Sequence, residues 1–349
     1  MDIFELLDSL PQFRDAEILK SFIKGYAIIN KHGYNNILCS ISGGSDSDIM
    51  LDLIYRIDKD KKVKYIWFDT GLEYQATKDH LKYLETKYNI KIIRERAIKP
   101  IPITCNSCGQ PFINKHVSEM MYRLQRHGFK WEDKPIDELL IEYPKCKSAI
   151  EWWTNSKIVK ANNHSMFNIN YNKYLKEFII ANPPTFKISS KCCDYAKKNV
   201  SKHLMKKYNA DLMIIGVRRA EGGIRATRYK SCYSTKEDGV ANYRPLYWFN
   251  KASKEEYETK FNIVHSKCYT KYGFPRTGCC CCPFGRKNLE EELETTSIYE
   301  PKLYKAVCNI FKDSYEYTRK YQEFVQLIEL KEDKTQLAGQ MNIGEFIEV

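Results

Sequence analysis

Three groups of residues in this sequence have the types and spacing to do chemistry. The first is Ser42-Gly43-Gly44-Ser45-Asp46-Ser47. Two glycines let a backbone turn tightly and come close to a ligand. The N–H groups of such a turn, and of a helix that follows it, point at an anion with the help of the helix dipole. Ser42, Ser45 and Ser47 add hydroxyl donors, and Asp46 could hold Mg2+ or position a donor. There is no Gly-Lys-Ser/Thr, so this is not a Walker A loop. A Ser/Gly turn with a helix cap is the bland alternative, but a strand before and a helix after favour a phosphate loop.

The second group is cysteine. Cys192-Cys193 opens the helical stretch SKCCDYAKK, and far downstream lies Gly278-Cys279-Cys280-Cys281-Cys282-Pro283, in which Cys279 and Cys282 form a C-x-x-C. An adjacent pair and a distant C-x-x-C supply four thiolates, the number a [4Fe–4S] cluster needs. Zinc is the other reading, although adjacent cysteines are awkward tetrahedral ligands. Cys280 and Cys281 leave the ligand register open, and either could instead carry sulfur. A second C-x-x-C, Cys105/Cys108, could build a zinc site with Cys146, His116 or His127. It lacks a matching pair, so two ordinary loop thiols are the better reading. The third group is Arg218-Arg219-Ala220-Glu221-Gly222-Gly223-Ile224-Arg225, suited to bidentate recognition of phosphate or sulfate. Cys232, close in sequence to Arg225 and Arg228, is a sulfur-handling candidate.

The elements that must position these groups alternate. NNILCSI (35–41) is an apolar run ending at the glycine pair, and DIMLDLIYRI (48–57) has helical periodicity. KVKYIWFD (62–69) predicts a second strand, TKDHLKYLETKY (77–88) a helix and IKIIRER (90–96) a third strand. The rhythm resumes with a helix at 194–208 and a strand at 210–219. Such alternation predicts an α/β fold: a doubly wound, mainly parallel sheet flanked by helices. A helical insertion and a cysteine-rich, cluster-binding C-terminal part complete the expectation. The expected divisions are N-terminal helices at 1–34, a nucleotide-binding domain at 35–96 and 190–250, an insertion at 97–189, and the cysteine-rich segment with C-terminal helices at 251–349.

The motifs resemble a known family. SGGSDS is similar to the SGGxDS of the PP-loop ATP pyrophosphatases, the adenine nucleotide α-hydrolase-like superfamily. Asp69-Thr70-Gly71-Leu72-Glu73 resembles the DTG-x-E of its PAPS reductase branch, as do the arginine segment and YRPLYWFNKASKEEYETKF (243–261). The cysteines resemble the CC…CxxC of assimilatory APS reductases, and RTGCCCCPFG resembles a segment of related sulfur-transfer proteins. The resemblance covers 35–96 and 190–286 and hardly touches the insertion. It implies an adenine nucleotide, ATP with Mg2+, held by Ser42, Gly43, Gly44, Ser45, Asp46, Ser47, Asp69, Thr70, Gly71, Glu73 and Arg219. It implies catalytic roles for Asp46, Arg218 and Arg225, to which the residues themselves add Cys232, and a [4Fe–4S] cluster on Cys192, Cys193, Cys279 and Cys282.

Reductases of this type pass sulfite from the nucleotide to a cysteine in a Glu-Cys-Gly motif near the chain's end. Here the last cysteine is Cys308. The chain therefore looks more like the DNA-phosphorothioation sulfurtransferases, and the leading expectation is ATP-driven thiolation of an acceptor with pyrophosphate release. Reduction of adenylyl sulfate or its 3′-phosphate is the alternative. A non-catalytic, cluster-bearing nucleic-acid-binding protein is the third. A cysteine desulfurase as sulfur donor follows from the resemblance alone.

Composition bounds these readings. The chain has 349 residues, suggesting about two domains or one α/β domain with additions. With 43% hydrophobic and 29% charged residues, wholesale disorder is excluded. The net charge of +12 favours an anionic partner. Together with Trp131, Trp152, Trp153, Tyr171 and Tyr174 it would suit DNA or RNA, if those aromatics are not core. No apolar run approaches the roughly 20 residues of a membrane span, and no secretory signal is visible, so a cytoplasmic location and no membrane partner are expected. In that setting, thirteen cysteines point to metal or redox chemistry and not to disulfides.

Overall fold

The computed structural model describes residues 2–157, 165–222, 228–235 and 239–344, without the side chains of 286–287 and 333–344. The chain forms two compact units. The first comprises Met1–Ile101, Cys193–Cys280 and Glu294–Leu303; the second comprises Pro102–Cys192, Cys281–Leu293 and Tyr304–Val349. The divisions fall inside the two cysteine runs, between Cys192 and Cys193 and between Cys280 and Cys281.

The first unit is built on a sheet of β1 (Ile37–Ile41), β2 (Val63–Asp69), β3 (Ile92–Arg96), β4 (Leu212–Ile215), β5 (Tyr233–Ser234) and β6 (Ala241–Tyr243). Their order is β3-β2-β1-β4-β6-β5. All neighbours pair in parallel except β5 with β6. This is the doubly wound, mainly parallel architecture that the alternation predicts. Period-two burial shows why helices cover both faces. Ile37, Cys39 and Ile41 of β1 join one core with Phe22, Ile49, Leu53 and Leu81, while Leu38 joins the other with Val200 and Leu204. Successive side chains of a strand point to opposite faces, so a strand buried on both faces reads as a continuous apolar run.

The strand order reverses beside β1. The chain moves outward to β2 and β3, then returns to β4 on β1's other side. Ser40 is in register with Ile215, so the carboxyl ends of β1 and β4 lie side by side. Such a switch point leaves a crevice between diverging connections, the usual ligand position in open α/β sheets.

The second unit is helical. Lys115–Arg126, Ile136–Glu142, Lys147–Trp153, Leu175–Ala181 and Lys312–Gly344 are its main helices. Trp131, Trp152 and Trp153 lie in its core beside Phe112, Phe178 and Tyr317. The Trp153 indole N–H donates to the Glu132 carbonyl at 2.9 Å. These three tryptophans are packing residues and not a face for bases. Tyr171 is half exposed, and Tyr174 donates its hydroxyl to Glu332 at 2.7 Å.

Candidate functional site

The Ser42–Ser47 turn lies at the switch point. Gly43 has φ +68°, and a Cβ there would sit 2.8 Å from the Thr77 methyl, so a glycine is required. Gly44 caps the helix Ser45–Ile57 without a side-chain hydrogen bond. The first N–H groups of a helix have no intrahelical partner. One of them, Ser45 N–H, donates to the Tyr269 hydroxyl at 3.1 Å, which also accepts from Thr277 N–H at 3.2 Å. Ser42 N–H donates to the Ser47 hydroxyl at 2.9 Å, fixing the turn internally.

Charge is concentrated on this turn. Arg218, just beyond β4, donates from Nε to Asp46 Oδ2 at 2.8 Å. Lys254 Nζ lies 3.0 Å from Asp46 Oδ1 and donates to the Ser45 hydroxyl at 2.5 Å. Burial opposes the charge on Asp46, but Arg218 and Lys254 outweigh it and hold the carboxyl below its usual range. One step along the helix, buried Asp48 lies 2.9 Å from His80 Nε2 and 2.8 Å from His265 Nδ1. The other His265 nitrogen contacts Glu258 at 2.9 Å. With a carboxylate on each nitrogen, both nitrogens donate and the ring is an imidazolium. Burial works against that charge, but the bonds to Asp48 and Glu258 raise His265 to about 9.

The Asp69–Glu73 turn at the end of β2 is organised differently. Glu73 accepts from Thr70 N–H, from the Thr70 hydroxyl at 2.7 Å and from Gly71 N–H at 3.1 Å. Burial raises the Glu73 carboxyl despite these bonds. Asp69 accepts from Gly71 N–H at 2.9 Å and from Arg94 Nε at 2.6 Å. Burial opposes its charge, and Arg94 holds it below the usual range. The turn also meets the distal cysteines. Thr70 Oγ1 is 3.4 Å from Cys279 Sγ, and Cys280 N–H donates to the Leu72 carbonyl at 2.7 Å. Burial pushes the Cys279 thiol up, with the charges of Glu73 and Cys193 adding to the effect and Lys197 opposing it. Cys193 and Lys197 flank and enter the π-helical turn Asp194–Lys198, a distortion frequent at functional sites.

Among the described residues, no group of three or more His, Cys, Asp or Glu side chains is arranged to hold a metal ion. Cys105, Cys108, Cys146, His116 and His127 are not gathered into a zinc site. Cys192 and Cys282 belong to the second unit, where Cys192 is buried and the Cys282 carbonyl accepts from Gly285 N–H at 2.7 Å. Cys280 and Cys281 are both fully buried, which removes them as exposed sulfur carriers. Cys281 has φ +44° and is held by backbone bonds, its N–H donating to Glu292 at 2.9 Å and its carbonyl accepting from Tyr315 at 2.5 Å.

Arg219 lies 5.5 Å over the Trp248 ring. Cys232 is buried at a cavity of 560 Å³, with Lys20, Lys24, Tyr243 and Trp248. Arg225 lies outside the described residues. Sequence reasoning missed Lys254, His265, His80, Tyr269 and Thr277. Lys254 and Thr277 lie inside segments that resemble the family but at positions without a marked role, and His80, His265 and Tyr269 lie in no motif that sequence reasoning singled out.

Among the described residues, no helix is long and apolar enough to cross a membrane. No relative was found among curated proteins. Similar solved structures include phosphoadenylyl-sulfate reductase from Candida auris in a phosphate complex, at 11% identity and TM-score 0.39, covering 78% of this chain and 98% of that one. The U34-tRNA thiolase NcsA from Methanococcus maripaludis with its [4Fe-4S] cluster has 14% identity and TM-score 0.37, covering 90% and 81%. An NH3-dependent NAD synthetase from Campylobacter jejuni has 12% identity and TM-score 0.35, covering 91% and 96%. The profile of the phosphoadenosine phosphosulfate reductase domain matches residues 36–103 and 151–284. That match takes in the phosphate-loop candidate, the Asp69–Glu73 turn, the arginine segment and all four proposed cluster cysteines, and the chain belongs to the phosphoadenosine phosphosulfate reductase domain family.

Proposed function

We propose that this chain is an ATP-dependent sulfur-transfer enzyme in which the Ser42–Ser47 turn holds the nucleotide's phosphates. The observation that carries the reading is the Arg218–Asp46 bond, which joins the arginine segment to the glycine turn at the switch point. An anion at this turn would meet the N-terminus of a helix, three serine hydroxyls and cationic side chains. A substrate oxygen attacks the α-phosphorus and the bond to the β-phosphate breaks. Pyrophosphate leaves while Arg218 and the loop N–H groups stabilise the developing charge. The outer sulfur of a persulfide donor, such as a cysteine desulfurase, then attacks the activated acceptor atom and AMP leaves. A second thiol cleaves the resulting acceptor–donor disulfide, so that sulfur stays on the acceptor and the two thiols leave as a disulfide. The acceptor's class is nucleic acid, in keeping with the net charge of +12. Mg2+ enters with the nucleotide's phosphates, because both Asp46 oxygens already face cations.

Of the four cysteines that the resemblance implies as cluster ligands, Cys193 and Cys279 share the first unit and are the pair proposed to bind iron there. The support is a soft, all-thiol donor set and the electrostatic proximity of Cys193 to Cys279. When bound, the cluster would hold or relay sulfur. Thr70 and Lys197 border Cys279. Anaerobic reconstitution with four irons per chain, lost on Cys279→Ala, is the expected result.

The test of the main reading is pyrophosphate release. Ser42→Ala combined with Asp46→Ala is expected to abolish ATP-dependent pyrophosphate formation, and retention of that activity would remove the loop from the mechanism. The family match favours a second reading, reduction of adenylyl sulfate or its 3′-phosphate. Sulfite released from either nucleotide with thioredoxin or glutathione would establish it, with an external or internal thiol serving as acceptor.

A further inference from the structure

Asp46 is not arranged as a carboxylate waiting for a metal ion. Its two oxygens face Arg218 at 2.8 Å and Lys254 at 3.0 Å. A divalent cation there would have to displace both and would sit beside two positive charges, which a carboxylate donor site does not tolerate. The donor set does not fit a resident Mg2+.

Lys254 is the more movable of the two cations. Its ammonium reaches the Ser45 hydroxyl, Asp46 and, at 3.7 Å, Glu258. If it leaves, neither carboxylate is stranded, because Asp46 keeps Arg218 and Glu258 keeps His265. Its position on Ser45 is at the first residue of the helix that follows the glycine turn, where anion oxygens would arrive. A compact ammonium on a flexible stem suits such an exchange better than a guanidinium in a fixed fork. Lys254 occupies an unspecified position of the stretch after Arg244-Pro245-Leu246, so no motif marks it.

We propose that Lys254 is a nucleotide-binding residue whose ammonium moves from Asp46 to the phosphate or sulfate oxygens of the bound nucleotide, supplying there the charge that a metal on Asp46 would otherwise supply. The proposal rests on the phosphate-loop reading above. It makes Asp46 the residue that holds both cations until a nucleotide binds.

The experiment is calorimetry on the full chain with ATP in EDTA, ATP with Mg2+, and adenylyl sulfate. Lys254→Met is expected to weaken ATP binding in EDTA by about tenfold or more, the scale of one charge-assisted contact. Lys254→Arg should recover most of it. Lys251→Met, on the same helix with its side chain 89% exposed, should match the wild type. Asp46→Asn should tighten metal-free ATP, because it frees both cations. If Lys254→Met does not fold, Lys254→Gln keeps hydrogen bonding to Ser45 without the charge and is read in its place. A loss confined to adenylyl sulfate supports the proposal with sulfate as the oxygen source. Binding by Lys254→Met within about twofold of wild type for every nucleotide overturns it, as does an Asp46→Asn protein that loses Mg·ATP about tenfold. A wild-type chain that binds none of the nucleotides overturns the phosphate-loop reading itself, a separate and visible outcome.

Discussion

The turns after β1 and β2 both end parallel strands and both carry carboxylates, yet they use them in opposite ways. After β1, Asp46 faces the cations Arg218 and Lys254, and Asp48 faces the imidazolium of His265 and the ring of His80. After β2, Glu73 faces backbone N–H groups and a hydroxyl of its own turn. Side-chain cations can change partners when an anion arrives, whereas backbone amides within a closed turn cannot. The first turn is therefore built to exchange charge. The second is a fixed wall against which Cys279 is placed.

The comparison can be broken most directly at Glu73. Glu73→Ala leaves the Thr70 and Gly71 amides without their acceptor in a buried turn, and should cost about 3 kcal/mol, read as a lower urea midpoint at unchanged slope. An unchanged midpoint with lost nucleotide affinity would show instead that Glu73 serves the ligand and that the wall is a binding surface.

The charge-exchanging side should reveal itself in pH dependence. The folded-state value of His265, about 9, exceeds its ordinary 6.5. Its contribution is then complete below pH 6.5 and lost as pH rises through 9. The shift corresponds to about 3 kcal/mol, reduced to roughly 1–2 kcal/mol by solvent screening at a half-buried ring. Wild-type stability should fall by that amount between pH 6.5 and 9, and His265→Gln should lack the slope. If the slope persists in the variant, the pH dependence does not arise at His265.

The smallest effect is expected at Arg94. Its side chain is 54% exposed, and its ion pair with Asp69 should contribute under about 1 kcal/mol. Arg94→Ala with a thermal midpoint close to wild type would confirm that backbone bonds, not the ion pair, hold the second turn. A large drop would mean that the two turns are more alike than their geometry suggests.

Much of the first unit was legible. Ile37–Ile41 and Val63–Asp69 are apolar runs because both faces of the sheet are covered, and Ser45–Ile57 is rich in apolar residues because it is buried without a break from Ser47 to Ile54. The glycine turn declared itself through Gly43, where the backbone conformation admits no other residue without strain. The tryptophans of the second unit could not be assigned from composition, since an aromatic reads the same whether it meets a base or another ring. Burial settled them as core. The C-terminal segments were equally opaque. Residues 281–293 and 304–344 pack with the helical unit while 294–303 packs with the sheet, a division made by contacts that no local pattern encodes.

The sequence by itself determined the local pattern: a glycine-rich turn between a strand and a helix, a strand-end carboxylate turn, a pair of arginines, and an adjacent cysteine pair with a distant C-x-x-C. These depend on backbone conformation and residue type within a few positions, and such short-range constraints leave a readable mark. Only the tertiary structure decided which charges share a site. Lys254, His265 and Tyr269 reach the glycine turn because the helix Lys251–Phe261 and the segment after it fold back to the carboxyl edge of β1. The pairing of Asp46 with two cations is a sum of long-range contacts. Its electrostatics follow from distance in space, which separation along the chain does not record.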